Sequence, residues 1–298
     1  MAPIRKLPIG IQDFEDLRTN GYLYVDKTAY VHSLATMGKP YFLGRPRRFG
    51  KSLFLSTLKA YFLGKKELFD GLAIAELEKD WTEYPVFHID INRTVYKNPQ
   101  TFENSLNVIL NEYDAAWDIK TDFVDASLHF DQLISAACKQ ANRKVVVLID
   151  EYDKPLVNTM DEPELNEELR KILKNFYGVL KSADAHLRFV LLTGVTKFSK
   201  VSVFSDLNHL QDISMDENYA GICGISESEL PVYFQPEIEN FAEKCKLTYE
   251  TTLAELKKHY DGYHFCENTE GIYNPFSLLN TFASRTLRSY WFATGTPT

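Results

Sequence analysis

The stretch Tyr41–Leu58, "YFLGRPRRFGKSLFLSTL", decides the fold, because it places an apolar strand, a turn and an amphipathic helix in direct succession. It nearly matches the phosphate-binding pattern GxxxxGK[ST], in which loop N–H groups and a helix start surround a phosphate. Five residues rather than four separate Gly44 from Gly50, so in register with Gly50 the first glycine position is Arg45. Pro46 restricts Arg45 to an extended conformation, so this turn must be built differently. The alternative is a basic surface turn that caps the helix.

The composition is that of an ordinary globular protein with about two domains. The 33 basic and 41 acidic residues give a net charge of -8, which argues against wholesale binding to nucleic acid or a membrane surface. The 4 cysteines lie far apart without a CxxC pair, so neither a zinc site nor a disulfide framework is indicated. The sequence has neither a signal peptide nor an apolar run of about 18 residues. We therefore expect a cytoplasmic protein that does not span a membrane.

Five apolar runs with helical segments between them predict a mostly parallel sheet covered on both faces. The runs lie at 40–44, 85–91, 144–150, 187–194 and 210–215, and helices are predicted over 51–64, 101–117 and 161–183. Short helices after about residue 225 predict a smaller helical domain. We expect domains at 1–224 and 225–298, with residues 1–38 packing before the loop strand. The aromatic-rich end "YWFATGTPT" suggests a cut inside a longer protein.

A second signal is "KVVVLIDEYDKPL", in which a run of apolar residues ends in Asp150 and Glu151. A buried parallel strand delivers such carboxylates to the edge of the sheet where ligands bind, so this pair and the loop are two halves of one predicted site. We expect Lys51 to reach the outer phosphates, Ser52 and Asp150 to hold Mg²⁺, and Glu151 to orient or deprotonate the attacking water. The alternative is that the acidic pair only solvates a strand end.

Other polar residues give weaker signals. Thr193 and Thr196, in "LLTGVTKFSK", could hydrogen-bond the attacking water or the outer phosphate, or could satisfy a strand-to-helix turn. His259 and His264 have no third ligand nearby in the sequence, so a metal site there is disfavoured. Ser52 lies in no GxSxG elbow, so a serine hydrolase is not supported.

These residues resemble a known family, the bacterial AAA-ATPase-like proteins that are often fused to a C-terminal nuclease domain of the PD-(D/E)XK type. The similar stretches are "YLYVDKTAYV" at 22–31, "RPRRFGKSLFLSTL" at 45–58, "VVVLIDEYDKPL" at 145–156, "TGVTKFSKVSVFSDLNHLQDIS" at 193–214, "YDGYHF" at 260–265 and "YNPFSLL" at 273–279. The resemblance implies a P-loop NTPase three-layer sandwich with sheet order 5-1-4-3-2. It makes Arg45 the family's own version of the loop, and it implies that Tyr24–Thr28 lies near the base. The nuclease domain would begin beyond Thr298.

The resulting hypothesis is an ATP-binding and ATP-hydrolysing module that uses Mg²⁺ and regulates an attached nuclease-type domain. The residues predicted to bind the nucleotide are Arg45, Pro46, Arg47, Arg48, Phe49, Gly50, Lys51, Ser52 and Leu53. Arg93 and Arg188 are candidates for an arginine finger by charge only; a finger supplied in trans would require a homo-oligomer or another partner. One alternative is a nucleotide-gated DNA-binding module that uses Arg45, Arg47, Arg48, Lys197 and Lys200. A P-loop kinase is a third possibility, and ATP is not distinguished from GTP.

Overall fold

The computed structural model describes residues 5–38, 40–120, 123–195 and 210–290 of the 298-residue chain. Its main sheet has five parallel strands in the order β2-β3-β4-β1-β5. The strands are β1 (Pro40–Gly44), β2 (Val86–Asp90), β3 (Val145–Asp150), β4 (Leu187–Gly194) and β5 (Gln211–Asp212). Read from the other edge this is the order 5-1-4-3-2, so the predicted topology is confirmed.

The apolar runs form strands because the sheet is buried on both faces. All six residues of β3 are buried. Val145, Val147 and Ile149 belong to one hydrophobic cluster, whereas Val146 and Leu148 belong to the cluster on the opposite face. Such a strand reads in the sequence as a continuous apolar run.

Helices cover both faces of the sheet. They are α1 (Phe14–Thr19), α2 (Thr28–Met37), α3 (Lys51–Phe62), α4 (Ala73–Leu77), α5 (Pro99–Trp117), α6 (Ala126–Ala141), α7 (Lys154–Asn158) and α8 (Pro163–Ser182). Residues of α2 and α3 pack on one face, and residues of α5, α6 and α8 pack on the other. The predicted helices α3, α5 and α8 are confirmed, whereas α6 was not predicted. The result is the three-layer sandwich.

Residues 225–290, called here the C-terminal module, contain three helices: α9 (Glu229–Cys245), α10 (Tyr249–Tyr260) and α11 (Pro275–Ser284). Helix α9 consists of two helical parts that meet at a kink, where Phe234 has a non-helical backbone shortly before Pro236. A small antiparallel sheet that was not predicted also forms, from β6 (Ile225–Ser226), β8 (Ile272–Tyr273) and β7 (Asp261–Tyr263).

The N-terminal segment packs against this module. Leu7, Ile9, Leu23 and Val25 join its hydrophobic cluster. Residues 5–25 therefore connect the start of the chain to its C-terminal helices. The division into 1–224 and 225–298 stays a prediction.

Candidate functional site

The loop between β1 and α3 has the geometry of a phosphate cradle. Gly50 adopts a left-handed φ of 93°, which favours glycine, and α3 begins at the next residue, Lys51. The Nζ of Lys51 donates to the backbone oxygens of Arg45 at 3.0 Å and Pro46 at 3.2 Å. Lys51 thus folds back over its own loop, and a bound anion would compete with the two carbonyl oxygens for its ammonium group. Burial lowers the pKa of Lys51, and the negative charges of Glu151 and Asp150 offset only part of this decrease.

The predicted acidic pair lies at the same edge of the sheet, at the end of β3. Asp150 is 4% exposed, and its Oδ1 accepts hydrogen bonds from Thr193 Oγ1 at 2.5 Å and from the Glu151 backbone N–H at 3.0 Å. Glu151 has a left-handed φ of 53°, and its Oε2 lies 3.4 Å from the Nζ of Lys154. A non-glycine residue in this conformation stores strain of the kind found at functional sites. The structure therefore brings Lys51, Asp150, Glu151 and Thr193 together.

Thr193 is buried beside Asp150, and its predicted role as a phosphate sensor stays a prediction. Its side chain is 0% exposed, and its hydroxyl donates to Asp150. In this structure Thr193 therefore orients a carboxylate. Thr196, the second threonine, lies outside the described residues, as do Lys197 and Lys200.

Sequence reasoning missed a third carboxylate, Asp90, which ends β2 directly beside Asp150 in the sheet register. Burial raises the pKa of Asp90, and the charges of Asp150 and Glu151 add to that rise, while the Asn92 N–H lowers it. The run "PVFHIDI" carried the same cue as the later strand, an acidic residue at the end of an apolar run. Asp90 extends the negative edge of the sheet.

Arg45, in the first glycine position, points away from the cradle. Its side chain is 1% exposed. Its guanidinium donates to the backbone oxygens of Gly44 (2.9 Å), Ser214 (2.7 Å), Tyr219 (3.0 Å) and Ala220 (3.4 Å), and it lies 3.9 Å from the Phe265 ring centroid. Only the backbone of Arg45 faces Lys51, so its charged group is structural.

Two other loop residues contact the C-terminal module. Arg48 has a φ of 66°, and its guanidinium carbon lies 4.0 Å from the Phe276 ring centroid. Phe49 is buried and packs edge-on against Tyr263 and Phe265, with centroids 4.6 and 5.7 Å away. The loop between β1 and α3 therefore contacts Tyr263, Phe265 and Phe276 of the C-terminal module.

A cavity of about 640 Å³ opens beside the loop. It is lined by loop and helix residues 47–54, by Asn92, Glu151, Lys154 and Asn158, by N-terminal residues 8–12 and 23–25, and by Pro275, Phe276 and Leu279. The cavity has the volume of a small-molecule site. Lys51, Ser52 and Glu151 are among its polar lining residues, and Ile9, Ile11, Val25 and Leu279 are among its apolar ones.

Arg93 and Arg188, the two candidates for an arginine finger, lie away from the cavity. Arg93 is exposed and pairs with Glu112, and Arg188, near the amino end of β4, donates to the Ala35 oxygen. Neither lines the cavity. Within the described ranges, no cluster of three or more His, Cys, Asp or Glu residues could hold a metal ion. In the same part of the chain, no helix is long and apolar enough to cross a bilayer.

A five-stranded parallel sheet with a glycine-lysine-serine loop after β1 and an acidic residue at the end of β3 defines the class of P-loop NTPase-like proteins. The chain belongs to the AAA-ATPase-like family, described as "Predicted AAA-ATPase", whose match covers residues 8–204. It is 42% identical over 296 residues to the "Uncharacterized protein in vnfD 5'region" of Azotobacter chroococcum mcd 1. That alignment covers 99% of this chain and 55% of the relative, so the chain spans about half the length of that protein.

Proposed function

We propose that this chain binds ATP with Mg²⁺ and hydrolyses its outer phosphoanhydride bond. One observation carries the proposal: Lys51 folds over the loop between β1 and α3 and lines a cavity of about 640 Å³ together with Glu151, and the charges of Glu151 and Asp150 act on its pKa. A buried cation, loop N–H groups and paired carboxylates are what phosphoryl transfer requires, because its catalysis is mainly positioning and charge stabilisation.

The phosphates would lie where Lys51 now contacts two loop carbonyls. The ammonium group would exchange the oxygens of Arg45 and Pro46 for phosphate oxygens, which are stronger acceptors because they are charged. Glu151 lines the same cavity and is the proposed residue that orients the attacking water. Its present neighbour, Lys154, also lines the cavity.

The donor atoms available for a metal fit Mg²⁺. The Ser52 hydroxyl, in the first turn of α3, and the Asp150 carboxylate are hard oxygen ligands, and Mg²⁺ typically takes few protein ligands beside phosphates and water. Two hydrogen bonds to Oδ1 hold the Asp150 carboxylate in place. When bound, the metal would neutralise phosphate charge.

The apolar residues that line the cavity are the proposed base site. Residues 8–12 and 23–25 of the N-terminal segment form one wall, and Phe276 and Leu279 of α11 form another. Tyr24, within the segment expected near the base, lines the cavity, as does Thr57 of α3. A purine bound here would bury apolar surface against both the N-terminal segment and α11, which supports the expected placement of the base.

The test measures binding of a fluorescent ATP analogue and release of inorganic phosphate. We expect Lys51→Ala to abolish binding, and Glu151→Gln to bind ATP without hydrolysing it. Lys59→Ala and Glu168→Gln are matched controls, because both residues are exposed and lie on α3 and α8 away from the cavity. Parent-like turnover in both site variants would refute the assignment. Transfer of phosphate to another acceptor would instead indicate a kinase.

The similar protein of Azotobacter chroococcum is longer than this chain, and its greater length is the basis of a second, broader proposal. We propose that the ATP state of this module regulates an attached C-terminal nuclease-type domain, which would bring the nucleic-acid contact, and that the protein works in the cytoplasm. In the full-length protein, DNA cleavage should then depend on ATP and change in Glu151→Gln. Specific ATPase activity that rises with protein concentration would support a homo-oligomer that supplies an arginine in trans. In the alternative of a DNA-binding loop, Arg45 would not contribute, because its guanidinium is buried, whereas Arg48 is exposed.

A further inference from the structure

Lys154, the first residue of α7, places a positive charge beside the proposed catalytic carboxylate. Its Nζ lies 3.4 Å from Oε2 of Glu151, and both side chains line the cavity of about 640 Å³. The backbone turns between the two residues, since the Lys154 N–H donates to the Glu151 oxygen at 3.0 Å. The side chains are 25% and 24% exposed, so a ligand that enters the cavity meets this ion pair.

Lys154 differs in position from the other basic residues of the cavity. Within the described part of the chain, the basic side chains that line it are those of Lys27, Arg47, Arg48, Lys51 and Lys154. Lys27 donates to both carboxylate oxygens of Glu229, at 2.5 and 2.6 Å. Arg47, Arg48 and Lys51 belong to the loop and to the start of α3. Of these five residues, Lys154 is the one that follows β3, on the side of the acidic pair.

The ion pair between Lys154 and Glu151 is of a kind that a phosphate can displace. A partly exposed pair of residues three apart in the sequence contributes little to stability. A triphosphate carries several negative charges, and its oxygens accept charge-assisted hydrogen bonds, which are stronger than ordinary ones. Transfer of Lys154 to the outer phosphate would also leave the Glu151 carboxylate free to accept a hydrogen bond from water. One movement would therefore prepare both groups.

We propose that Lys154 leaves Glu151 for the outer phosphate when ATP binds, so that the same chain supplies the charge that an arginine finger supplies in other phosphoryl-transfer enzymes. This inference rests on the proposed function, because it requires ATP in the cavity. In the reaction, the oxygen of water bonds to the outer phosphorus, a proton of that water passes to Glu151, and the bond from phosphorus to the bridging oxygen breaks as ADP leaves. The ammonium group stabilises the negative charge that grows on the phosphate oxygens.

Steady-state release of inorganic phosphate measures the contribution of Lys154. Lys154→Met keeps much of the length of the side chain and removes its charge, and we expect it to lower kcat about 10- to 100-fold, the effect of losing a hydrogen bond to a charged group. Lys154→Arg keeps the charge and should recover most of that loss. Lys171→Met is the matched control, since Lys171 is exposed on α8 and does not line the cavity.

Nucleotide affinity separates a phosphate contact from a role in holding Glu151. A non-hydrolysable ATP analogue should bind Lys154→Met about two- to fivefold more weakly than the parent, because a partly exposed contact with the outer phosphate is lost. ADP lacks that phosphate and should bind both proteins equally. If Lys154 only positioned Glu151, the substitution would leave the affinities for both nucleotides unchanged, and the proposal would be wrong.

A mixture of two variants tests whether the charge acts within one chain. Lys154→Met and Glu151→Gln each keep one of the two groups, and their mixture should be no more active than the sum of its parts. Recovery of activity in the mixture would place Lys154 across a subunit boundary and overturn the proposal. If Lys51→Ala loses ATP while Lys154→Met hydrolyses it like the parent, only this inference is wrong. If the parent neither binds nor hydrolyses ATP, the proposed function is wrong as well.

Discussion

Replacing Arg45 with glycine would restore the usual first residue of a phosphate loop, and we expect it to destabilise the protein. The guanidinium donates to three backbone oxygens at 3.0 Å or less, those of Gly44, Ser214 and Tyr219, and to a fourth at 3.4 Å. It also stacks on Phe265. Glycine would leave these buried carbonyls without their donor, and it would increase the conformational freedom of the unfolded chain.

The expected loss follows from these contacts. Each of the three shorter bonds contributes about 1 kcal/mol net, the stacking adds about 0.5–2 kcal/mol, and the removed cost of burying the charge offsets part of the sum. We expect Arg45→Gly to lower the free energy of unfolding by about 2–4 kcal/mol, a large share of a stability of about 5–15 kcal/mol. Arg45→Lys should fall between the parent and Arg45→Gly, because an ammonium group cannot reach all four oxygens.

Urea unfolding followed by circular dichroism and tryptophan fluorescence measures the change. Arg143→Ala is the control, since that arginine is exposed and its loss should change stability by less than about 0.5 kcal/mol. If Arg45→Gly lies within about 1 kcal/mol of the parent, the buried guanidinium does not stabilise the fold and the structural role given to it here is wrong.

Three further changes test the site around the loop. Gly194→Ala should lower stability by about 1–3 kcal/mol in urea unfolding, because a Cβ there would lie 2.4 Å from Cε1 of Tyr152, while Gly178→Ala, with open space, should not. Thr193→Val removes the hydroxyl bonded to Asp150 and should raise the Mg²⁺ concentration needed for half-maximal hydrolysis; Thr193→Ser should restore it, and a failure to do so would contradict the bond's role. Burial lowers the pKa of Lys51, so ATP affinity should fall with rising pH before an ordinary lysine would titrate. The unfolded chain holds the Lys51 proton more tightly than the folded chain does. The contribution of Lys51 to the free energy of unfolding should therefore rise with pH between its folded and its ordinary pKa, and urea denaturation at a series of alkaline pH values would measure that rise.

The sequence was sufficient to predict the sheet because its strands are buried on both faces. A run such as Val145–Ile149 has no polar residue that would fit an exposed strand face. The predicted order of the strands came from the family resemblance, and the structure confirms it. By contrast, β5 is a strand only over Gln211–Asp212, and beyond it in the predicted run 210–215 the Ile213 N–H still donates to the Phe42 oxygen of β1 at 3.0 Å.

Some of what was missed had a local signal. Helix α6 has Asp125 as its N-cap, and Phe130, Leu133, Ile134 and Ala137 are buried at helical spacing. That periodicity alone predicts a helix. Asp90 was similarly visible at the end of an apolar run.

Other features could not be read from the sequence, since they depend on contacts between distant residues. The partners of Arg45 include the backbone oxygens of Ser214 and Tyr219. Every residue carries such an oxygen, whatever its side chain, so the sequence does not mark these two as partners. The contact of Arg48 with Phe276 likewise joins a loop to a helix more than 200 residues later. No local pattern marks either pair.

The structure also explains how the loop after β1 can lack the first glycine of the GxxxxGK[ST] pattern. The Arg45 N–H donates to the Gly194 oxygen at 3.1 Å, so this residue continues the pairing of β1 with β4 and remains extended, as Pro46 requires. The left-handed positions of the loop are Arg48 and Gly50, with φ values of 66° and 93°. The chain therefore turns later than the usual pattern implies, and a glycine at residue 45 has no conformational task to perform. A side chain can occupy that position, and here it connects the loop to the segment after β5.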